Sequence, residues 1–175
     1  AKVAMTQLEQ PVEVAERFLR IASDAGVVTV LNPAPATVLP EGMLALCDYV
    51  TPNEGEAEAL TGIAVTDRAS AQRAAAALLA QGVRRAVIVT LGHDGALVLD
   101  ATGARHVPAI AAGPVVDTTG AGDAFNGGFA AGLAAGMTLD SALRFASALA
   151  ALSVTRHGTA KAMPTRAEIE ALLSR

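Results

Sequence analysis

At 175 residues the chain is long enough for one domain of ordinary size with a buried core. Hydrophobic residues make up 52%, yet only 3% are aromatic and much of the rest is alanine, a composition for close helix packing. A net charge of −4, with lysine only at Lys2 and Lys161, excludes the basic surface that nucleic acid requires, and the uncharged run Ala124–Leu139, which no other exceeds in length, falls short of the roughly 18–20 apolar residues that span a bilayer.

Val3–Leu8 reads as a strand. Pro11 suits a helix start and Gly26 its end; between them Val14, Ala15, Phe18, Ile21, Ala22 and Ala25 recur at helical spacing. "VVTVL" (27–31) is a short buried strand, and "NPAPATVLPEG" is a loop punctuated by prolines. "CDYVT" is another short strand, with a helix start at Pro52. Cys47 is the only cysteine, so no intrachain disulfide forms; its apolar neighbours mark a buried structural thiol in a reducing compartment.

Asp67–Gln81 is an alanine-rich helix closed by Gly82. "RAVIVTLG" is apolar enough to be buried on both faces as a strand. "HDG" turns the chain into the strand "ALVLD", and "RHVPAI" and "PVVD" also have strand character. From Gly120 onward the pattern is helical. Phe125, Phe129 and Leu133 form a core-facing stripe, Leu143, Ala146 and Ala150 another, and Thr165 with Glu168 makes a capping box. The alternation of helix and strand predicts an α/β fold on a mainly parallel sheet.

The stretch "DTTGAGDAFNGGF" (117–129) carries the chemistry. A glycine-rich entry lets an anion approach the unpaired N–H groups at a helix start, where the partial charge is positive. "GAGD" is placed for this, and the site would suit a phosphoryl group in transfer. Asp123 at its edge would accept a proton from the attacking hydroxyl. The alternative is that Asp123 stabilises a helix N-terminus and the glycines only allow close packing. Phe125 stands where a dinucleotide fingerprint needs its third glycine, and the chain has no Gly-Lys pair for a Walker A loop.

"DTTGAGDAFNGGF" resembles the signature of the ribokinase-like (PfkB) sugar kinases. "TPNEGEAEALTG", "VTLGHDGALV" and "SVTRHGTAKAMP" follow in the order and spacing of that family, and "LNPAPA" is similar to its ribose-phosphorylating members. The resemblance covers essentially the whole chain. It implies a three-layer α/β/α, Rossmann-like ribokinase fold, of which residues 1–175 form a single α/β domain, the C-terminal nucleotide-binding and catalytic portion. The chain, which starts at Ala1 in mid-pattern, is expected to begin partway through a larger protein. The N-terminal half would then be missing, with most of the sugar pocket and the β-sheet lid through which the full-length protein forms a homodimer. Alone, such a portion is expected to be inactive and poorly soluble.

The resemblance also implies an activity: ATP-dependent phosphorylation of D-ribose at its 5-hydroxyl to ribose 5-phosphate, in the cytoplasm, with Mg²⁺ and an activating K⁺. Deoxyribose, fructose or a nucleoside are the alternatives within the family; a truncated nucleotide-binding fragment that transfers nothing is the alternative outside it. Asp123 would be the base, and Gly120, Ala121 and Gly122 would frame the anion hole with it. Asn53 and Thr90, Leu91, Gly92, His93, Asp94 and Gly95 would line the ATP site, Glu56 would organise Mg²⁺ and its waters, and Glu9 would meet the sugar. Asp117, Thr119, Ser153, Arg156, Gly158 and Ala162 would surround K⁺, several through backbone carbonyls. Two positions depart from the pattern: Ser147 stands where a histidine often meets the nucleotide, and Ala162 where a serine is common. Without the resemblance, Asn53 and Glu56 read equally as a capping box, "HDG" as a turn, and Asp117 as a residue that bonds a nearby turn.

Overall fold

Six strands and six helices form where the periodicity changes from two to 3.6. The computed structural model describes residues 1–174, which fall into two units, Ala1–Val107 and Pro108 onward.

The first unit is a six-stranded sheet in the order β1 (Val3–Thr6), β2 (Val28–Leu31), β3 (Tyr49–Val50), β4 (Ala86–Thr90), β5 (Ala96–Asp100), β6 (Gly103–Val107). The first four strands are parallel, with Val3 beside Val28, Val30 beside Tyr49 and Val50 beside Val87. β5 and β6 return antiparallel, so the sheet is mixed but mainly parallel. The parallel pairings need crossovers. These are helix α1 (Val12–Asp24), the segment 32–48 with one 3₁₀ turn, and the pair α2 (Glu54–Thr61) and α3 (Arg68–Ala80).

Leu19, Leu31, Met43, Val50, Leu78, Val87 and Val89 form the centre of this unit's core, with the alanines Ala71, Ala74 and Ala75 of α3 wholly buried among them. Each fully buried leucine contributes roughly 1.5–3 kcal/mol of transfer free energy. An alanine contributes less by area and more by letting the helix approach the sheet closely. Ala86–Val89 are all buried, as their continuous apolar run predicts. On α1 the buried face is Ala15, Leu19 and Ala22, whereas Val14, Phe18 and Ile21 are exposed. α1 forms where the helical spacing predicts it and carries two adjacent apolar lines, of which the sheet takes the one with Leu19.

At the amino ends of the parallel strands, a buried carboxylate ties three of them together. Asp48 Oδ2 accepts the Thr29 N–H at 2.9 Å, Oδ1 accepts Arg85 Nε at 3.1 Å, and Arg84 lies 3.3 Å from Oδ2. Cys47 beside it is wholly buried, and that burial pushes its thiol up to about 12, as befits a structural residue.

The second unit holds α4 (Ala121–Ala134), α5 (Leu139–Ser153) and α6 (Arg166–Leu173). Phe125 and Phe129 are buried and Leu133 partly so; Leu143 and Ala146 are buried and Ala150 partly so. Glycine sets the α4–α5 approach: a Cβ on Gly128 would stand 2.9 Å from Ala146 Cα, and one on Gly132 3.0 Å from Ala142 Cα. "PVVD" is not a strand. It joins no ladder; the Val116 and Asp117 N–H groups both donate to the Val154 carbonyl, and Val115 and Val116 are exposed. "RHVPAI" ends as strand at Val107, because Pro108 has no N–H to continue the ladder. Thr165 and Glu168 form the predicted capping box.

Candidate active site

The expected site residues of the first unit gather at the carboxyl ends of its parallel strands. Ligands of open α/β sheets bind at that edge. Beyond β3 the chain runs through Thr51 and Pro52 to Asn53, which bridges to Thr90 at the end of β4. The Thr90 N–H donates to the Pro52 carbonyl at 2.9 Å and fixes the two strand ends side by side. Leu91–Gly95 then turn tightly: the Leu91 N–H reaches the Gly95 carbonyl at 2.8 Å, and Gly92–Asp94 form a 3₁₀ turn. Leu91 is buried, while Gly92, His93 and Asp94 face solvent. Glu9 is exposed in the loop after β1. That loop is joined to "NPAPA" after β2, since the Leu8 N–H donates to the Ala34 carbonyl at 2.8 Å and the Asn32 N–H to the Thr6 carbonyl at 3.0 Å.

Asn53 and Glu56 do form a capping box. Asn53 Oδ1 accepts the Glu56 N–H at 2.8 Å, and the Asn53 N–H and Nδ2 donate to the two Glu56 oxygens at 2.9 Å each. Partial burial pushes the Glu56 carboxyl above its ordinary range, against the pull of the Asn53 N–H. A single such carboxylate fits Mg²⁺, which keeps several waters and takes one or two carboxylates plus phosphate oxygens. Among the described residues no group of three or more His, Cys, Asp or Glu could hold a metal.

In the second unit, α4 begins differently from its neighbours. Asn53, Asp67, Thr138 and Thr165 each cap their own helix with a side chain. Gly120, the N-cap of α4, has none to offer. It sits at φ +76°, and its Cα hydrogen faces Thr159, where a Cβ would stand 3.1 Å from the Thr159 methyl. The Ala121 N–H already donates to the Thr118 carbonyl at 3.1 Å, and the helical ladder opens with Ala124 N–H to Gly120 at 2.8 Å. The N–H groups of Gly122 and Asp123 lie between, in the exposed first turn, with the Asp123 carboxylate beside them. Ala121 is thus a weaker candidate for the anion hole than Gly122 and Asp123.

The residues expected around K⁺ are partly brought together. Asp117 binds both loops at the start of α4: Oδ1 accepts the Thr119 N–H at 2.9 Å and Oδ2 the Gly158 N–H at 3.0 Å. Ser153 Oγ donates to the Ala150 carbonyl at 2.8 Å, Arg156 pairs with Glu168, and Ala162 and Ser147 are buried. Hard oxygen atoms of this loop suit a monovalent cation.

The Gly158 N–H, followed by Thr119, holds the Asp117 carboxyl down at about 2. An unfolded aspartate titrates near ~3.9. The folded value is depressed, so the stabilisation is fully present above about pH 4 and is lost as pH falls toward 2. Asp117→Asn is expected to lower the urea midpoint at pH 7, with the gap to the parent closing between about pH 4 and pH 2. A gap that stays constant down to pH 2.5 would show that charge on Asp117 does not hold the loop.

Two features escaped the sequence pattern. Ser70 completes a capping box with Asp67, outside the usual Glu or Gln at that position. Asn126 is a buried amide in α4 whose Nδ2 donates to the Gly122 carbonyl at 3.0 Å; a polar side chain four residues after a glycine, inside an apolar run, was the available signal.

Comparison with known proteins shows the family of the chain. Residues 2–166 match the family described as pfkB family carbohydrate kinase. The chain is 43% identical over 164 residues to the ribokinase of Haemophilus influenzae, covering 94% of this chain and 53% of that protein. It is 36% identical to the deoxyribokinase of Salmonella typhi, covering 99% of this chain and 56% of that protein. Its backbone superposes on Arabidopsis thaliana ribokinase, solved with ribose and ATP, with a TM-score of 0.95 at 32% identity, covering 100% of this chain and 56% of the other. The chain belongs to the pfkB family of carbohydrate kinases and has a ribokinase-like α/β fold. It spans about half the length of the curated relatives it matches. No described helix is long and apolar enough to cross a membrane.

Proposed function

We propose that these residues supply the nucleotide edge, anion hole and base of an ATP-dependent sugar kinase that converts D-ribose to ribose 5-phosphate. The observation that carries this reading is the uncapped, glycine-led start of α4, with Asp123 in its first turn. The sugar O5 attacks the γ-phosphorus; the O5–P bond forms as the bond to the β,γ-bridging oxygen breaks, ADP leaves, and the O5 proton passes to Asp123. Charge on the transferring oxygens is met by the Gly122 and Asp123 amides, preorganised by the helix and requiring no reorientation as the reaction proceeds.

Asn53 and the Thr90–Gly95 turn take the nucleotide, and Glu9 takes a sugar hydroxyl. Glu56 would organise the waters of a bound Mg²⁺, which would supply positive charge against the phosphates. The loop of Asp117, Thr119, Ser153, Arg156, Gly158 and Ala162 would hold K⁺. The protein works in the cytoplasm as a homodimer, through a β-sheet lid outside these 175 residues. Ribose is favoured over deoxyribose by the 43% identity to the Haemophilus influenzae ribokinase, against 36% to the Salmonella typhi deoxyribokinase.

The test is phosphorylation by the full-length gene product of ribose, deoxyribose, fructose and a nucleoside, with ATP, Mg²⁺ and K⁺. Ribose is expected to give the highest kcat/KM, with ribose 5-phosphate as product. Faster turnover of another sugar would keep the family chemistry and replace the substrate. ATP binding without transfer to any of them would favour the non-catalytic reading.

A further inference from the structure

We propose that Asn126 is a positioning residue for the anion hole, acting through the peptide group that joins Gly122 to Asp123. The inference rests on the function proposed above. Asn126 is 4% exposed, and its carboxamide donates to the Gly122 carbonyl at 3.0 Å. That carbonyl is also the helical acceptor for the Asn126 backbone N–H, four residues on. Both lone pairs of the Gly122 oxygen are therefore engaged by the same residue.

The Gly122 carbonyl and the Asp123 N–H belong to one planar, conjugated unit. Donors on the oxygen draw electron density toward it, leave the nitrogen more positive and make the Asp123 N–H a stronger donor, since linked hydrogen bonds polarise one another. They also hold the plane's orientation, so the N–H keeps its aim. Gly122, with no side chain, and the glycine N-cap supply no other restraint at this point.

Helix stability alone gives no reason for the amide. Asparagine is a poorer helix former than alanine, and a buried carboxamide is unfavourable unless its hydrogen bonds are met. The neighbours on the buried face of α4 are Ala124, Phe125, Gly128 and Phe129, so an apolar residue would fit the composition there. Asn126 adds a donor aimed at the Gly122 carbonyl.

The experiment compares Asn126→Ala with Asn126→Ser in the full-length gene product, beside Asp123→Asn. The two Asn126 variants leave nearly the same space and differ by one hydroxyl, which in a helix donates to the carbonyl four residues back. Asn126→Ala is expected to lower kcat about 5- to 10-fold, with KM for sugar and for ATP unchanged within about twofold, while Asn126→Ser returns most of the loss. In the ligand-free protein, the Asp123 amide proton is expected to move upfield in Asn126→Ala and back in Asn126→Ser. Equal kcat in the two Asn126 variants, or a loss confined to KM or Tm, would overturn the positioning role. If Asp123→Asn keeps full activity, the base and anion hole do not lie at this turn and this inference falls with them; if Asp123→Asn is inactive while the Asn126 variants match each other, only the positioning role falls.

Discussion

Asp123→Asn in the full-length gene product lowers kcat for sugar phosphorylation by about 100- to 10,000-fold, the usual worth of a positioned general base. The substitution separates the two readings of this residue. As a helix-start carboxylate, Asp123 interacts favourably with the dipole by about 0.3–1 kcal/mol. On that reading alone, the variant melts slightly earlier and turns over normally. As the base, it keeps its fold and its affinity for ATP while the chemical step slows. Asp123 is exposed, and no hydrogen bond or ion pair among the described residues occupies its carboxylate, so the change to a carboxamide breaks no contact. Steady-state kinetics beside a thermal melt decide between them, and undiminished kcat would remove Asp123 from the mechanism.

Gly128→Val is expected to destabilise the fold by overpacking the contact between α4 and α5. The α4–α5 contact has no space for a Cβ at this position: the obstacle at 2.9 Å is Ala146 Cα, which is backbone and cannot turn away, and Leu149 Cδ1 follows at 3.2 Å. Overpacking of this kind costs about 1–3 kcal/mol, which for a chain of this size lowers Tm by roughly 2–12 °C. Gly127→Val is the control. It lies one residue away on the same helix, exposed, with nothing within 4 Å of its added Cβ, and is expected to melt within a degree or two of the parent. Matching melts for the two variants would mean that the helices separate without strain.

Most of the fold was legible because periodicity and punctuation agreed. Pro11, Asp67, Gly82 and Thr165 each stand at or next to the element end they mark in the sequence. The apolar run of β4 is buried throughout, as both-face burial requires. "PVVD" misled because β-branched residues also suit extended chain that pairs with nothing; what decides is a neighbouring ladder, which composition does not encode. The α1 spacing marked a helix correctly but left its buried face open. Spacing shows that Val14, Phe18 and Ile21 share a helix face, not which face the sheet will take.

The site divides in the same way. Glycine and aspartate at 120–123 were visible because a glycine-rich entry followed by an acidic residue in the first helical turn shows directly in the sequence. Asn53 and Glu56 were visible, but capping and ligand roles share one spacing, and the bonds between them satisfy the first without excluding the second. Asn126 was seen only as a polar interruption. Its significance depends on a 3.0 Å contact to a backbone oxygen, and no side-chain pattern announces a backbone partner.

The strand order has a consequence for how the chain reaches this state. All five pairings of the sheet join strands that are consecutive in sequence. Each strand therefore finds its earlier partner already synthesised, and none need await one made several elements later. On a ribosome, where domains emerge N-terminus first, such a sheet can lengthen by one strand at a time, each closing a single crossover loop. The hairpin of β5 and β6, the most local pairing of all, then forms with the least search.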